Sequence, residues 1–194
     1  MSKETYILFD LEAAPAQVSE EGMKHWFQEI VEIGAVKIEV TEHGIQHMDE
    51  YHQYISPTFG DHISRKWAKM TGVTDVMVKN GVDFITGFTE FIQWAGEDAI
   101  FVCWSICDIR MIESNIEAHK FWMYPTMEYL NLQELFDDTY ELPDHTGLKK
   151  ALYRLNIEFV GQRHHALNDA KNMIPIFENL QSQILSGSEY INML

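Results

Sequence analysis

Cations are scarce in this chain: 14 Lys and Arg stand against 30 Asp and Glu, a formal net charge of −16. That balance argues against a duplex-wrapping protein, because phosphate contacts by a basic footprint supply most non-specific nucleic-acid affinity. Cysteine is nearly absent as well. Cys103 and Cys107 lie four apart in an apolar stretch with no second pair, which predicts reduced thiols rather than a disulfide scaffold. Long apolar runs are missing, so no membrane span is expected. The opening MSKETYILFDLE has neither a basic leader nor a long apolar core, which predicts a cytoplasmic protein. Low-complexity and linker-like tracts are missing too. The 194 residues therefore read as one domain, 1–194, with a core at about 5–186 and a short C-terminal tail.

What is present is a mixture of strand and helix signals. Tyr6–Glu12 is a short apolar run suited to a buried strand, and Ile30–Val40 is β-branched with alternating charges. A turn at Thr41–Gly44 leads to a third strand candidate, Gln46–Ile55. Helical spacing follows at Ser64–Met70 and Val82–Ala95. Ala99–Trp104 reads as a fourth strand, Ile106–His119 as a helix and Met127–Leu132 as a fifth strand that runs into a short helix through Phe136. Helices at Leu148–Asn156 and Ala166–Leu185 close the pattern, with Pro175 expected to kink the last. Three strands in succession, then strands alternating with helices, predict a mixed sheet covered by helices.

Four acids and one histidine carry the chemical interest. Asp10 and Glu12 are two apart in a strand, so both carboxylates emerge on one face. Among Ile7, Leu8, Phe9 and Leu11 they are either paired or metal-bound, or at a strand end fraying into solvent. Asp108 falls in the first turn of a helix, where capping alone explains a carboxylate. His164 and Asp169 would lie about 140° apart on a continuous helix. Sharing a site therefore requires His164 to sit in the loop before the helix. His165 reads as part of a surface loop.

The order of these pieces is more specific than any one of them. Phe9-Asp10-Leu11-Glu12-Ala13, then Trp104-Ser105-Ile106-Cys107-Asp108, then His164-His165-Ala166-Leu167-Asn168-Asp169-Ala170 resembles the DEDDh branch of the DEDD exonuclease superfamily. Glu29–Val36, Met70–Thr74 and Gly147-Leu148 extend the likeness over roughly Tyr6 to Phe177, with wording nearest the RNA 3′-end-trimming subgroup (enhanced-RNAi-type and KapD-like exonucleases). The resemblance implies an α/β, ribonuclease-H-like fold: a five-stranded mixed sheet with helices on both faces. It also implies two divalent cations, Mg²⁺ or Mn²⁺, on Asp10, Glu12, Asp108 and Asp169, with His164 as general base. In the mechanism this predicts, Asp10 bridges both cations, Glu12 and Asp169 complete one, and Asp108 holds the other.

The resemblance further implies single-stranded 3′ ends of RNA or DNA as substrate and 5′-mononucleotides as product, and the net charge of −16 points to short ends. Leu11 (through its backbone), Ala13, Met70 and Trp104 are the candidate substrate contacts, although Met70 and Trp104 also read as core. Departures from the family pattern touch substrate detail rather than metal ligands. Ala13 and Ala14 stand where a threonine is usual, and Ser105 where a glycine is usual. A sister branch carries tyrosine at the position of His165. Two other readings remain open from sequence: a non-catalytic binding member of the fold, and a small dinucleotide phosphodiesterase.

Overall fold

The computed structural model describes residues 4–20, 23–60, 62–122, 126–143, 145–186 and 190–194. Three long strands come first: β1 (Glu4–Glu20), β2 (Met23–Thr41) and β3 (Gly44–Tyr54). Helices α1 (Arg65–Thr71), α2 (Asp75–Lys79) and α3 (Phe84–Ala95) lead to β4 (Ala99–Cys103) and α4 (Ile106–Ala118). Then come β5 (Glu128–Asn131), α5 (Leu132–Thr139), α6 (Leu148–Arg154), α7 (Ala166–Ser186) and β6 (Ile191–Met193). Helix α7 runs through Pro175 as one 21-residue element.

The sheet has the order β3-β2-β1-β4-β5-β6. The first three strands pair antiparallel, β4 lies parallel to both β1 and β5, and β6 closes the edge antiparallel to β5. The sheet is thus mixed, as expected, but six-stranded rather than five-stranded. The extra strand comes from the segment read as a tail: Ile191–Met193 is too short to carry a strand signal of its own and exists only because β5 offers an edge.

β1 is also far longer than its apolar run. Its partner β4 ends opposite Phe9, so beyond that point β1 has β2 on one side only. Pro15, which cannot donate to a ladder, is tolerated there opposite Gln28. Helix α2 is not foreshadowed by any periodic pattern; it is a single turn and a half started by Thr74 and Asp75.

The alternation along the strands divides the core. Tyr6, Leu8, Val36 and Ile38 face Met173, Ile176 and Phe177 of α7, with α5 and α6 alongside. Phe177 meets the Tyr6 ring edge-on with centroids 4.9 Å apart. On the opposite face Ile7, Phe9, Ile33 and Ala35 pack on Phe88 and Phe91 of α3 and on Ile109 and Ile112 of α4. Each fully buried side chain of this size contributes about 1.5–3 kcal/mol. Both faces are therefore tied down along the first half of β1, just before Asp10.

Candidate active site

Asp10 and Glu12 share the α7 face of β1, and the register places Gly34 opposite Asp10 and Glu32 opposite Glu12. Gly34 is there because α7 lies directly on it. A Cβ built at this position collides with the backbone of Ala166 and Leu167. That contact brings the first turn of α7, and with it Asp169, down beside β1. Ligand oxygens of Asp10, Glu12 and Asp169 all lie within 4.8 Å of one another.

Asp108 arrives from the end of the sheet. β4 is parallel to β1, so α4 begins at the same end as Asp10 and carries Asp108 in its first turn. Ser105 caps that helix, its hydroxyl accepting the Cys107 N–H at 3.3 Å. The serine that stands in place of the family glycine thus has a local structural role.

His164 occupies the loop before α7, as the shared-site reading required. Its backbone is in the left-handed region, φ 58°, uncommon for a non-glycine residue and a sign that its orientation is imposed. Its Nδ1 lies 4.0 Å from Glu12 Oε1, with the side chain 45% exposed. The Asp169 carboxylate accepts the His165 N–H at 3.2 Å, which secures the loop to the helix.

Electrostatics make this group unstable on its own. Burial, and then the charges of Asp108, Asp169, Glu12 and Glu32, hold the Asp10 carboxyl well above the carboxylate range. Burial, Glu32, Asp169 and Asp108 push Glu12 up to about 8. Asp108 rises to about 7 through burial, opposed by the amides of Ser105 and Leu11. Asp169 is raised by burial too, although the His164 amide, the His164 ring and the His165 amide pull it down. Converging buried acids of this kind fit bound cations, and all-oxygen donors suit hard divalent ions such as Mg²⁺ or Mn²⁺. The residues present therefore fit the cofactor that the sequence implied.

The raised values carry a consequence for stability. Each acid's folded-state pKa is raised, so the cluster's contribution to the metal-free fold is fully present at low pH, where these carboxyls are protonated in both states. Stability falls as the pH rises through Glu12's value of about 8, by about 1.4 kcal/mol per pH unit for each extra proton the fold retains. With chelator, the melting temperature should fall between pH 5 and pH 8. Mg²⁺ or Mn²⁺ should restore it, most strongly at the upper end. A chelated protein whose melting temperature climbs over this range would contradict the assignment of clustered acids.

Three of the four acids line a cavity of about 660 Å³, while Asp108 is buried and not part of its wall. Asp10, Glu12, Asp169 and His164 line it, as do all four candidate substrate contacts, Leu11, Ala13, Met70 and Trp104. Leu11 sends its side chain into the opposite core, consistent with a backbone contact only. Trp104 is 7% exposed and its indole N–H donates to the Thr146 carbonyl at 3.2 Å, so most of the ring is core. Met70 is 38% exposed. Sequence reasoning missed Lys149, Lys150 and Arg163, which also line the cavity, and Trp67 and Phe159 beside them. These three cations, out of 14 in the chain, give the cavity a positive rim that the net charge conceals.

It missed Glu32 and His52 as well. Glu32 is wholly buried, and a carboxylate inside the β-branched run EIVEIGAV was the available signal. Glu29, in the same run, is structural: it accepts the N–H groups of Thr58, Phe59 and Gly60 and anchors that loop. Among the described residues, no helix is long and apolar enough to cross a membrane.

Comparison with known proteins agrees with this geometry. The RNase_T family model, described as an exonuclease, matches residues 7–177. The PolC-type DNA polymerase III of Thermotoga maritima is 31% identical over 180 residues, which cover 89% of this chain and 12% of the polymerase. The chain thus spans about an eighth of that relative's length. The nuclease domain of 3′hExo, a DEDDh family member bound to rAMP, superposes with a TM-score of 0.79 at 21% identity, covering 97% of this chain and 96% of that one. Cell-death-related nuclease 4 (CRN-4) gives 0.77 at 19%, over 93% of this chain and 64% of that one. The chain belongs to the RNase_T exonuclease family, with the ribonuclease-H-like fold and the enzyme class that its DEDDh resemblance predicted.

Proposed function

We propose that this exonuclease hydrolyses phosphodiesters from the 3′ ends of short single strands of RNA or DNA, in the cytoplasm, and releases 5′-mononucleotides. The observation that carries the reading is the convergence of Asp10, Glu12 and Asp169 oxygens within 4.8 Å, beside His164, at one end of an open cavity. Asp10, Glu12, Asp108 and Asp169 would hold two divalent cations. When bound, such a pair activates the attacking water and neutralises charge on the phosphoryl and leaving oxygens.

The chain's own residues supply the rest. His164 Nδ1, the ring nitrogen facing Glu12 at 4.0 Å, accepts the proton of the water that attacks phosphorus. The imidazolium so formed is stabilised by the carboxylates around it. The P–O3′ bond breaks, and the leaving oxygen takes up a proton to become the new 3′-hydroxyl. Lys149, Lys150 and Arg163 draw the backbone of the strand to the cavity, and Trp67 and Phe159 offer faces for base stacking. Three cations rim the cavity of a chain whose net charge is −16. That arrangement favours short ends over long polymers, and a dinucleotide is the limiting case.

The test is an end-labelled oligonucleotide assay with Mg²⁺ or Mn²⁺ across RNA, DNA and dinucleotides. Stepwise loss of 5′-mononucleotides from the 3′ end is expected. Internal cleavage, or no cleavage with either ion, would sink the proposal. His164→Ala should lower kcat by about 10²–10⁴-fold, the usual range for a removed general base, with cation affinity little changed. Were affinity to collapse with it, His164 would be a ligand instead.

A further inference from the structure

The same sheet face carries a second group of ligand atoms on the other side of the α7 N-terminus. Glu32 stands across from Glu12, and His52 on β3 is the register partner of Gly34. His52 Nε2 lies 2.6 Å from Glu32 Oε1, and His165 Nδ1 lies 3.4 Å from that same oxygen. The two imidazoles stack with centroids 5.0 Å apart and planes at 22°. One ligand atom from each of the three residues lies within 4.8 Å of the other two.

Protein groups do not complete this cluster. Glu32 is 0% exposed, a costly place for a carboxylate without full compensation. Its Oε2 nevertheless has no hydrogen-bond partner, and neither does the buried Nδ1 of His165. One cation among the three side chains would engage both orphaned atoms and His52 at once.

We propose that Glu32, His52 and His165 bind a further divalent cation of the imidazole-preferring kind, zinc being the type case, apart from the cations on the catalytic acids. Two imidazole nitrogens and one carboxylate oxygen form a borderline donor set that selects zinc over Mg²⁺, whereas the catalytic acids are all hard oxygen. The His52 and His165 side chains are 28% and 30% exposed, which gives the ion a path from solvent.

The ligands come from β2, β3 and the entry to α7, so the ion would pin that entry to the sheet. His165 follows His164 directly and its amide holds Asp169. Zinc here therefore positions the stretch that presents both residues to the catalytic cavity without touching substrate. This inference stands independently of the hydrolytic reading.

The full chain, stripped with chelator and returned to excess Mg²⁺, is titrated with Zn²⁺ alone by calorimetry. Zinc per chain is then measured after gel filtration, and the Co²⁺-substituted protein is examined for the visible bands of a nitrogen-containing site. One tightly held zinc per chain is expected in the parent and in Asp10→Ala. His52→Ala and His165→Ala should each weaken it by more than about 100-fold, the most that loss of a mere outer partner costs. His165→Asn, similar in bulk, serves if the alanine variant fails to fold by circular dichroism. Zinc retained undiminished in both histidine variants, or lost in Asp10→Ala, would place the ion on the catalytic acids and overturn the site. A parent that holds no zinc would reduce the cluster to a plain His52–Glu32 ion pair.

Discussion

Asp10→Ala and Asp169→Asn should each abolish hydrolysis while leaving a folded and, without metal, more stable protein. The two effects have one origin. Burial and its neighbours' repulsion raise the pKa of each carboxyl, and the proposed cations would compensate the charge of the ionised form. Removing one acid removes several kcal/mol of transition-state stabilisation that the cations give, and at about 1.4 kcal/mol per tenfold that is a loss of about 10³ or more in kcat. The metal-free fold meanwhile loses a carboxyl whose ionisation burial and its neighbours oppose. Relief of about 1 kcal/mol would raise the melting temperature by about 2–4 °C in a chain of this size. Steady-state rates and chelated melting curves of the two variants decide the point. Near-normal hydrolysis in either would refute the ligand assignment, and a collapsed fold would show the acids to be structural.

Gly34→Ala should be nearly as damaging, although residue 34 is not proposed to touch metal or substrate. A methyl group in a strand ordinarily gains up to about 1 kcal/mol over glycine. At this position it meets the backbone of Ala166 and Leu167, which cannot rotate aside as a side chain would. Helix α7 has to lift, and overpacking of this kind costs about 1–3 kcal/mol. The lift also carries His164 and Asp169 away from Asp10 and Glu12. A displacement of about 1 Å can cost about 100-fold in rate, so a fall of at least that size in kcat is expected, together with a lower melting temperature. Parent-like activity would mean that α7 is positioned by other contacts.

Much of the site was legible in the chain because its parts are local. The two-residue spacing of Asp10 and Glu12 puts them on one side of any strand. The offset between His164 and Asp169 demands a loop before the helix, and the φ of 58° at His164 belongs to that loop. Asp108 was expected in a first helical turn and lies in one. The sheet was read one strand short because Ile191–Met193 has no periodicity to detect. The length of β1 was underestimated because Ala13–Ala16 contains a proline that only a one-sided strand accepts.

His165 shows the limit most clearly. In the sequence it is a second histidine in a polar loop, and nothing in its neighbours says otherwise. In the structure it stacks on His52, more than a hundred positions earlier, over a buried Glu32. Lys149, Lys150 and Arg163 are similar: a few cations in an acidic chain, gathered by α6 and the loop before α7 around one cavity.

By itself, then, the sequence determined that Asp10 and Glu12 share a face and that His164 needs a loop to reach Asp169, since spacing along one element settles which face a side chain takes; the reaction class rested on the order of the motifs and their resemblance to the DEDDh exonucleases. Only the tertiary structure decided how closely those acids approach, where the basic rim lies, and that Glu32, His52 and His165 meet. Those outcomes depend on contacts between distant segments, above all the seating of α7 on Gly34, and no spacing within a single segment encodes them.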